Sequence, residues 1–400
     1  MTVSRRHFIH GLGVAAGSIA LGACASSTPD ASDLGAPGGS LPDPTGTVAP
    51  ARPAGSGTLV VLTLAGGNDA LNTVVPVGDP RYAASRGGLA IDPAAAHDIG
   101  EGFALHPALT RTKALWDGGR LAVVHGVGFD GLDRSHFHCM DVWQAADSST
   151  ATGWIGRWLD AVGTDPLDAV AIGRQLPLLA RGERRSAAVV PTGPFSLPGD
   201  RALRAELATL ADDDGRSGLA ASVARSGGDL LTVVDTVAPV VAGSTGGEGD
   251  LSARLGTVAT LMEADLPARV YATELGGFDT HAAQPAQHTA LLAELDAALG
   301  SFFDRTADRP VTVLVYSEFG RRVAPNASDG TDHGKAGTIL VAGTVRGGHH
   351  GDPPPLDDLD DGDLRTTVDH RAVYGGLVEG ILGVEAADLL AGAPAPLALL

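Results

Sequence analysis

The chain has 400 residues and a formal net charge of −19, from 47 acidic and 28 basic residues, with 2 cysteines, 13 histidines, 55 glycines and 25 prolines. So large an acidic excess argues against nucleic acid or an anionic membrane surface as a general partner, and two cysteines exclude a disulfide-rich scaffold or a cysteine-based zinc module. With 44% hydrophobic and 19% charged residues, the chain has material for a real core and is too apolar to be intrinsically disordered.

The first element is an address. Arg5-Arg6 precedes a Gly/Ala-rich apolar stretch that ends in Leu21-Gly22-Ala23-Cys24. Paired arginines before a modest apolar run match a twin-arginine export signal, and the run is too short for a stable membrane span. Leu-Gly-Ala-Cys resembles a bacterial lipobox, which makes Cys24 the expected lipid attachment point. Residues 1–24 then form a cleavable signal, the export machinery is a partner, and the protein sits on the extracytoplasmic side of the membrane, in the periplasm or at the cell surface. Residues 25–57, rich in Pro, Gly and Ser, read as a flexible tether.

From residue 58 onward, apolar runs of strand length appear. Leu59–Leu64, Leu121–His125, Arg269–Thr273, Val311–Tyr316 and Thr338–Ala342 each read as a buried strand. Between the third and fourth, Leu291, Leu292, Leu295, Leu299, Phe302 and Phe303 recur at three- and four-residue steps, the mark of a helix with one apolar face. Strands alternating with amphipathic helices predict a three-layer α/β/α sandwich with a mostly parallel sheet. Residues 192–262, rich in Ala, Gly, Asp and Leu, read as a helical insertion, with an acidic triplet at Asp212, Asp213 and Asp214. The acidic stretch 352–363 reads as a surface loop without the spacing of a calcium hand. No internal repeat is visible.

In an open parallel sheet, ligands bind beyond the carboxyl ends of the strands, so the residues that follow each strand matter most. The first strand leads to Gly66-Gly67-Asn68-Asp69, the second to Asp133-Arg134-Ser135-His136-Phe137-His138, the third to Gly276-Gly277-Phe278-Asp279-Thr280-His281, and the fourth to Ser317-Glu318-Phe319-Gly320-Arg321-Arg322. Thr331-Asp332-His333-Gly334 precedes the fifth. Carboxylates and imidazoles gathered at one rim can hold a divalent cation such as Zn, Mn, Mg or Ca. Each residue also has a structural reading: Asp69, Ser135 and Asp279 all stand where a helix cap belongs, and Arg321 and Arg322 suit pairing with the acidic excess.

LAGGNDALN, RSHF, GGFDTH, SEFGR and TDHG, in that order behind a twin-arginine signal and followed by VDHRAVYGGLVEGILG, resemble the DUF1501 family of exported bacterial proteins over most of residues 58–385. That family is grouped with the alkaline phosphatase superfamily of phosphatases, sulfatases and phosphomutases, so the resemblance implies an alkaline phosphatase-like domain over residues 58–400. By order along the chain it implies Asp69, Asp279, His281, Glu318 and His333 as metal ligands, with Ser135 as the nucleophile. Phe319 departs from the pattern, standing where the superfamily has a second histidine ligand; one metal, or a rearranged set using Asp332, then replaces a two-metal site. The implied chemistry is hydrolysis of an anionic phosphate or sulfate ester. Arg134, Arg321 and Arg322, with Asn68 beside them, would contact the substrate, and His136 or His138 would protonate the leaving group. The competing expectation is a non-catalytic surface-binding or assembly lipoprotein that keeps the fold and a structural metal.

Overall fold

All five apolar runs become neighbours in one sheet. In the computed structural model, which describes residues 57–400 except 148–149, 198, 200, 213–214 and 244–249, they are β1 (Thr58–Leu64), β5 (Leu121–Gly128), β8 (Val270–Leu275), β9 (Val311–Tyr316) and β10 (Gly337–Gly343). The export signal, Cys24, most of the tether, and Asp213 and Asp214 lie outside the described residues.

Four shorter strands complete this sheet: β6 (Ala169–Ile172), β7 (Ala188–Val190), β11 (Gly348–His350) and β12 (Val368–Asp369). Its order is β11-β5-β10-β9-β1-β8-β6-β7, with β12 also on β5. A separate antiparallel sheet joins β2 (Val74–Val75), β4 (Phe103–Leu105) and β3 (His97–Gly100).

Every pairing in the large sheet is parallel except the two made by β10, which runs antiparallel to both β5 and β9. This reversal positions the site. The residues that follow β1, β5, β8 and β9 emerge at one rim, and because β10 runs the other way, the residues that precede it arrive at that same rim.

The continuous apolar runs are explained by cover on both faces. On one face Val60, Leu62, Val313 and Tyr271 pack against helices Leu251–Glu263 and Gln284–Arg305. On the other, Leu59, Val61, Val124 and Leu314 pack against helices His136–Ala145, Trp154–Val162 and His370–Leu377. The structure is therefore the three-layer α/β/α sandwich that the alternation predicts.

Residues 192–262 contribute helices Arg201–Ala211, Gly218–Val241 and Leu251–Glu263. The first buries no residue, whereas the third buries Leu251, Leu255, Val258 and Leu261 against the sheet and belongs to the core layer. No helix among the described residues is long and apolar enough to cross a membrane.

Candidate metal centre

Four loops converge at the rim of β1, β8, β9, β10 and β5. Donor atoms of His136, Asp279 and His333 lie within 4.8 Å of one another. His281 joins them, its Nε2 2.9 Å from Asp279 Oδ1 and 2.9 Å from His333 Nε2. His333 Nε2 is 3.1 Å from the same Asp279 oxygen, and His136 Nε2 is 3.5 Å from it.

The second ring nitrogens fix the tautomers. His136 Nδ1 lies 2.8 Å from Glu318 Oε1, His281 Nδ1 lies 3.1 Å from Asp332 Oδ1, and His333 Nδ1 lies 2.9 Å from the carbonyl oxygen of Arg134. A carbonyl or carboxylate oxygen can only accept, so each Nδ1 is placed to carry the single proton of a neutral ring, which leaves Nε2 a lone pair even where the Asp279 carboxylate faces it. Two lone pairs and a carboxylate oxygen thus face one small volume, with the His281 lone pair beside Asp279 and His333, and either an extra imidazole proton or a cation must sit among them. His136 Nε2 makes the point most sharply, being buried with no hydrogen-bond partner among the described residues. Imidazoles whose far nitrogens are held by carboxylate or carbonyl groups are the usual second layer of a metal site. The donor set therefore fits a divalent cation, and its nitrogen-rich character suits zinc better than magnesium or calcium.

The loops are shaped for this approach. Gly67 has φ 80°, and a Cβ there would stand 2.3 Å from the Phe319 ring. Gly66 has φ 122°, and a Cβ there would stand 2.4 Å from the Asp279 backbone nitrogen. Phe319 is buried, with its ring centroid 4.9 Å from that of His136 and 4.8 Å from that of His333. It forms the apolar floor under two imidazoles. Arg134 takes the left-handed conformation, φ 63°, and its carbonyl meets His333.

Asp279 is tuned in the direction that binding requires. Burial opposes its ionisation, but the hydrogen bond and charge of Arg321, with the His333 and His281 rings beside it, outweigh that cost and hold its carboxyl at about 2. Asp332 is also lowered, chiefly by its hydrogen bond from Asn326.

The remaining residues singled out in the sequence fall around this core in other positions. Glu318 is buried behind His136, accepting from His136 Nδ1, from the Gly66 N–H at 2.9 Å and from the Ser317 hydroxyl at 3.0 Å. Asp332 stands behind His281. Asp69 caps the short helix Ala70–Thr73, accepting from the Asn72 N–H. Its other oxygen pairs with the fully buried Arg86 and accepts from Gln284 Nε2 at 2.5 Å, while Gln284 Oε1 accepts from the Thr331 hydroxyl at 2.6 Å. Asp69 therefore meets the centre indirectly, through Gln284, just after His281, and Thr331 in the loop that carries His333. Asn68 is buried, its side chain bonded to Thr73 and His288.

Arg321 is also fully buried, and its guanidinium donates to the carbonyls of Gly66, Gly67, Phe278 and Thr331 and to Asp279 Oδ1. Arg134 and Arg322 pair with Asp361 and Asp363 of the acidic loop. The three arginines expected to meet substrate are all engaged within the protein. Ser135 is the N-cap of helix His136–Ala145, its hydroxyl 3.5 Å from the His138 N–H. His138 is exposed, with Nδ1 2.9 Å from Asp133.

Sequence reasoning did not single out Arg86, Gln284, Thr331 or Asn326. No spacing marks them, since their importance lies in contacts between distant loops. The sequence assigns His136 to proton transfer; its place in the first turn of the helix that follows β5 is the available sign of a ligand.

A sequence model of the family described as "Protein of unknown function (DUF1501)" matches residues 128–371. No curated relative matches the chain. Among solved structures, the chain is similar to the C-terminal periplasmic domain of EcEptC from Escherichia coli in complex with Zn, at 10% identity and TM-score 0.38, covering 72% of this chain and 73% of that one. It is also similar to the lipoteichoic acid synthase LtaP from Listeria monocytogenes, at 8% identity and TM-score 0.40, covering 85% and 75%. A third is the soluble domain of lipooligosaccharide phosphoethanolamine transferase A from Neisseria meningitidis, at 11% identity and TM-score 0.36, covering 86% and 95%.

Proposed function

We propose that this chain, which belongs to the DUF1501 family, is an exported, lipid-anchored hydrolase of phosphate or sulfate esters that depends on a divalent cation, most naturally zinc. The observation that carries the reading is the convergence of three imidazole lone pairs on Asp279, each imidazole fixed from behind. His136, Asp279 and His333 would hold the cation, with His281 as fourth ligand. Such a cation supplies Lewis acidity and lowers the pKa of an oxygen nucleophile.

The protein's own groups divide the remaining work. Glu318, Asp332 and the Arg134 carbonyl keep the three rings in the binding tautomer. Arg321 holds Asp279 ionised and aimed. Ser135, adjacent to His136, is the candidate nucleophile in the chain. Its oxygen would form the new bond to phosphorus or sulfur as the ester oxygen leaves, and water would then release the acid. With both His136 nitrogens engaged, the leaving-group proton would come from His138, the exposed imidazole two residues along the same helix.

One observation favours the alternative, a non-catalytic binding or assembly lipoprotein with a structural metal. Arg134, Arg321 and Arg322 are all paired internally, and Ser135 already serves as a cap. Metal analysis of the full exported chain, followed by turnover of aryl phosphate and aryl sulfate, decides between them. Bound metal with turnover lost in Ser135→Ala supports the hydrolase. Bound metal with no turnover of either ester supports the binding protein.

A further inference from the structure

A cavity of about 590 Å³ lies along the same rim, above the ends of β1, β8 and β6. It opens between the sheet and helix His136–Ala145 because the side chains on that face shrink to Thr63, Ala171 and Ala272 at the strand ends. Three chain segments run from its wall to the metal centre. Thr63 lies just before Gly66, whose N–H donates to Glu318. Glu274 leads to Asp279 within one loop. Asp141 lies on the helix that begins at His136, about 7.5 Å along its axis.

The chemistry of the wall is balanced. Asp141 and Glu274 face the space along with Arg174 and Arg254, and Thr63 and Thr273 add hydroxyls. An apolar chain would displace water from these groups and bring no hydrogen bond in its place, beyond contacts they keep within the protein, such as Arg254 to the Glu274 carbonyl and Thr273 to the Ile172 carbonyl. A second anionic group would meet two carboxylates. A group bearing several hydroxyls satisfies both kinds of wall residue, since each hydroxyl donates to a carboxylate and accepts from a guanidinium. Its volume lies within the range of small-molecule sites.

We propose that this cavity binds the organic part of the ester, and that this part is a polyhydroxylated group, uncharged or bearing a single ammonium, such as a sugar or amino sugar. The proposal rests on the hydrolase reading for the ester it is attached to; the cavity and its lining stand apart from it. A second cavity, of about 490 Å³ beside β5 and β10, has a larger apolar share, lined by Leu71, Phe103, Leu356, Leu364 and Pro353 to Pro355, with Asp79, Arg81 and Glu101 also on its wall. It is the place an acyl group would go instead.

The test uses the full chain loaded with zinc, titrated calorimetrically with methyl phosphate, hexyl phosphate and glucosamine 6-phosphate. Glucosamine 6-phosphate should bind about tenfold tighter than methyl phosphate, as hydrogen bonds to charged groups imply. In the Asp141→Asn, Glu274→Gln double variant that preference should vanish while methyl phosphate and zinc affinities hold. Tighter binding of hexyl phosphate, unchanged in the double variant, overturns the proposal in favour of the apolar cavity. Glucosamine without phosphate, titrated into the metal-free chain, separates the two readings. Shifted methyl resonances of Thr63, Ala171 and Ala272 uphold the cavity even if no phosphate compound binds, an outcome that would sink the hydrolase alone. Unshifted methyls together with no preference for glucosamine 6-phosphate reject the cavity.

Discussion

The Nε2 atoms of His281 and His333 lie 2.9 Å apart, although each ring has already committed the proton of its other nitrogen to an acceptor. Two lone pairs at that separation repel unless something positive stands between or beside them. A dication held by His333, Asp279 and His136 relieves that repulsion, with His281 beside it. The purified full chain should therefore bind one zinc per molecule, and His333→Ala should abolish stoichiometric binding. At a hundredfold excess of metal over its Kd, binding should add roughly 3 kcal/mol of stability. Elemental analysis and calorimetric unfolding with and without chelator check this; equal unfolding temperatures and no retained metal would remove the centre.

Glu318 tests whether the layer behind the ligands matters. Its carboxylate joins His136 to the Gly66 turn, so it sets both the ring's tautomer and its place. Glu318→Gln keeps an oxygen acceptor of nearly the same size and should weaken zinc binding modestly. Glu318→Ala frees the ring and should weaken it by about 10- to 100-fold, the usual effect of removing such a partner. Competition against a chelator of known affinity gives both numbers. If Gln and Ala cost the same, the hydrogen bond to His136 contributes nothing beyond packing.

Much of the fold could be read from the chain because its signals were local. Five uninterrupted apolar runs, covered on both faces, became five adjacent strands, and the helix at 284–305 buries Leu292, Leu295, Leu299, Phe302 and Phe303 as its periodicity implied. The short strands β6, β7, β11 and β12 had too few residues to register; β11 is Gly-His-His. The rim itself was legible, since function gathers beyond strand ends, but the division of roles within it was not. Nothing in the spacing around Asp69 announces the buried Arg86, which arrives from a separate helix. Nor does the spacing around Arg321 show that four carbonyls from three loops, together with Asp279, engage its guanidinium. Those roles follow from contacts across the chain, which local pattern does not encode.

Asp69 and Asp279 make a contrasting pair. Asp69 is enclosed with Arg86 and Gln284, whereas Asp279 points its oxygen among imidazoles. Removing one partner of a buried ion pair leaves an uncompensated charge, which costs about 3–5 kcal/mol. Asp69→Ala should therefore destabilise strongly while molecules that remain folded still bind zinc. Asp279→Ala should lose the metal instead, and because it also takes the carboxylate from buried Arg321 it should destabilise the metal-free chain as well, with four carbonyls left to hold that guanidinium. Denaturant unfolding in chelator, paired with metal content of the folded fraction, reads both effects. Loss of zinc from folded Asp69→Ala would place Asp69 among the ligands after all.

Stability in acid should depend on histidines that the centre does not use. His288 is buried with Nε2 2.9 Å from Asn68 Oδ1, and burial, partly offset by the Asp69 charge, lowers it to about 4. His106, buried beside it, is also lowered by burial to about 4. In the unfolded chain both return to about 6.5. Between these values the unfolded state binds more protons than the folded one, so stability falls as pH falls from about 6.5 toward 4. From pH 7 to pH 5 the loss should be roughly 2 kcal/mol per group, at 1.36 kcal/mol per pKa unit. Denaturant unfolding across that range, in chelator so that metal release does not contribute, should show the slope. His288→Gln, which can still donate to Asn68, should be less stable at neutral pH but flatten the profile by about one group's share. A variant profile parallel to that of the natural chain would mean that His288 is not the group that titrates.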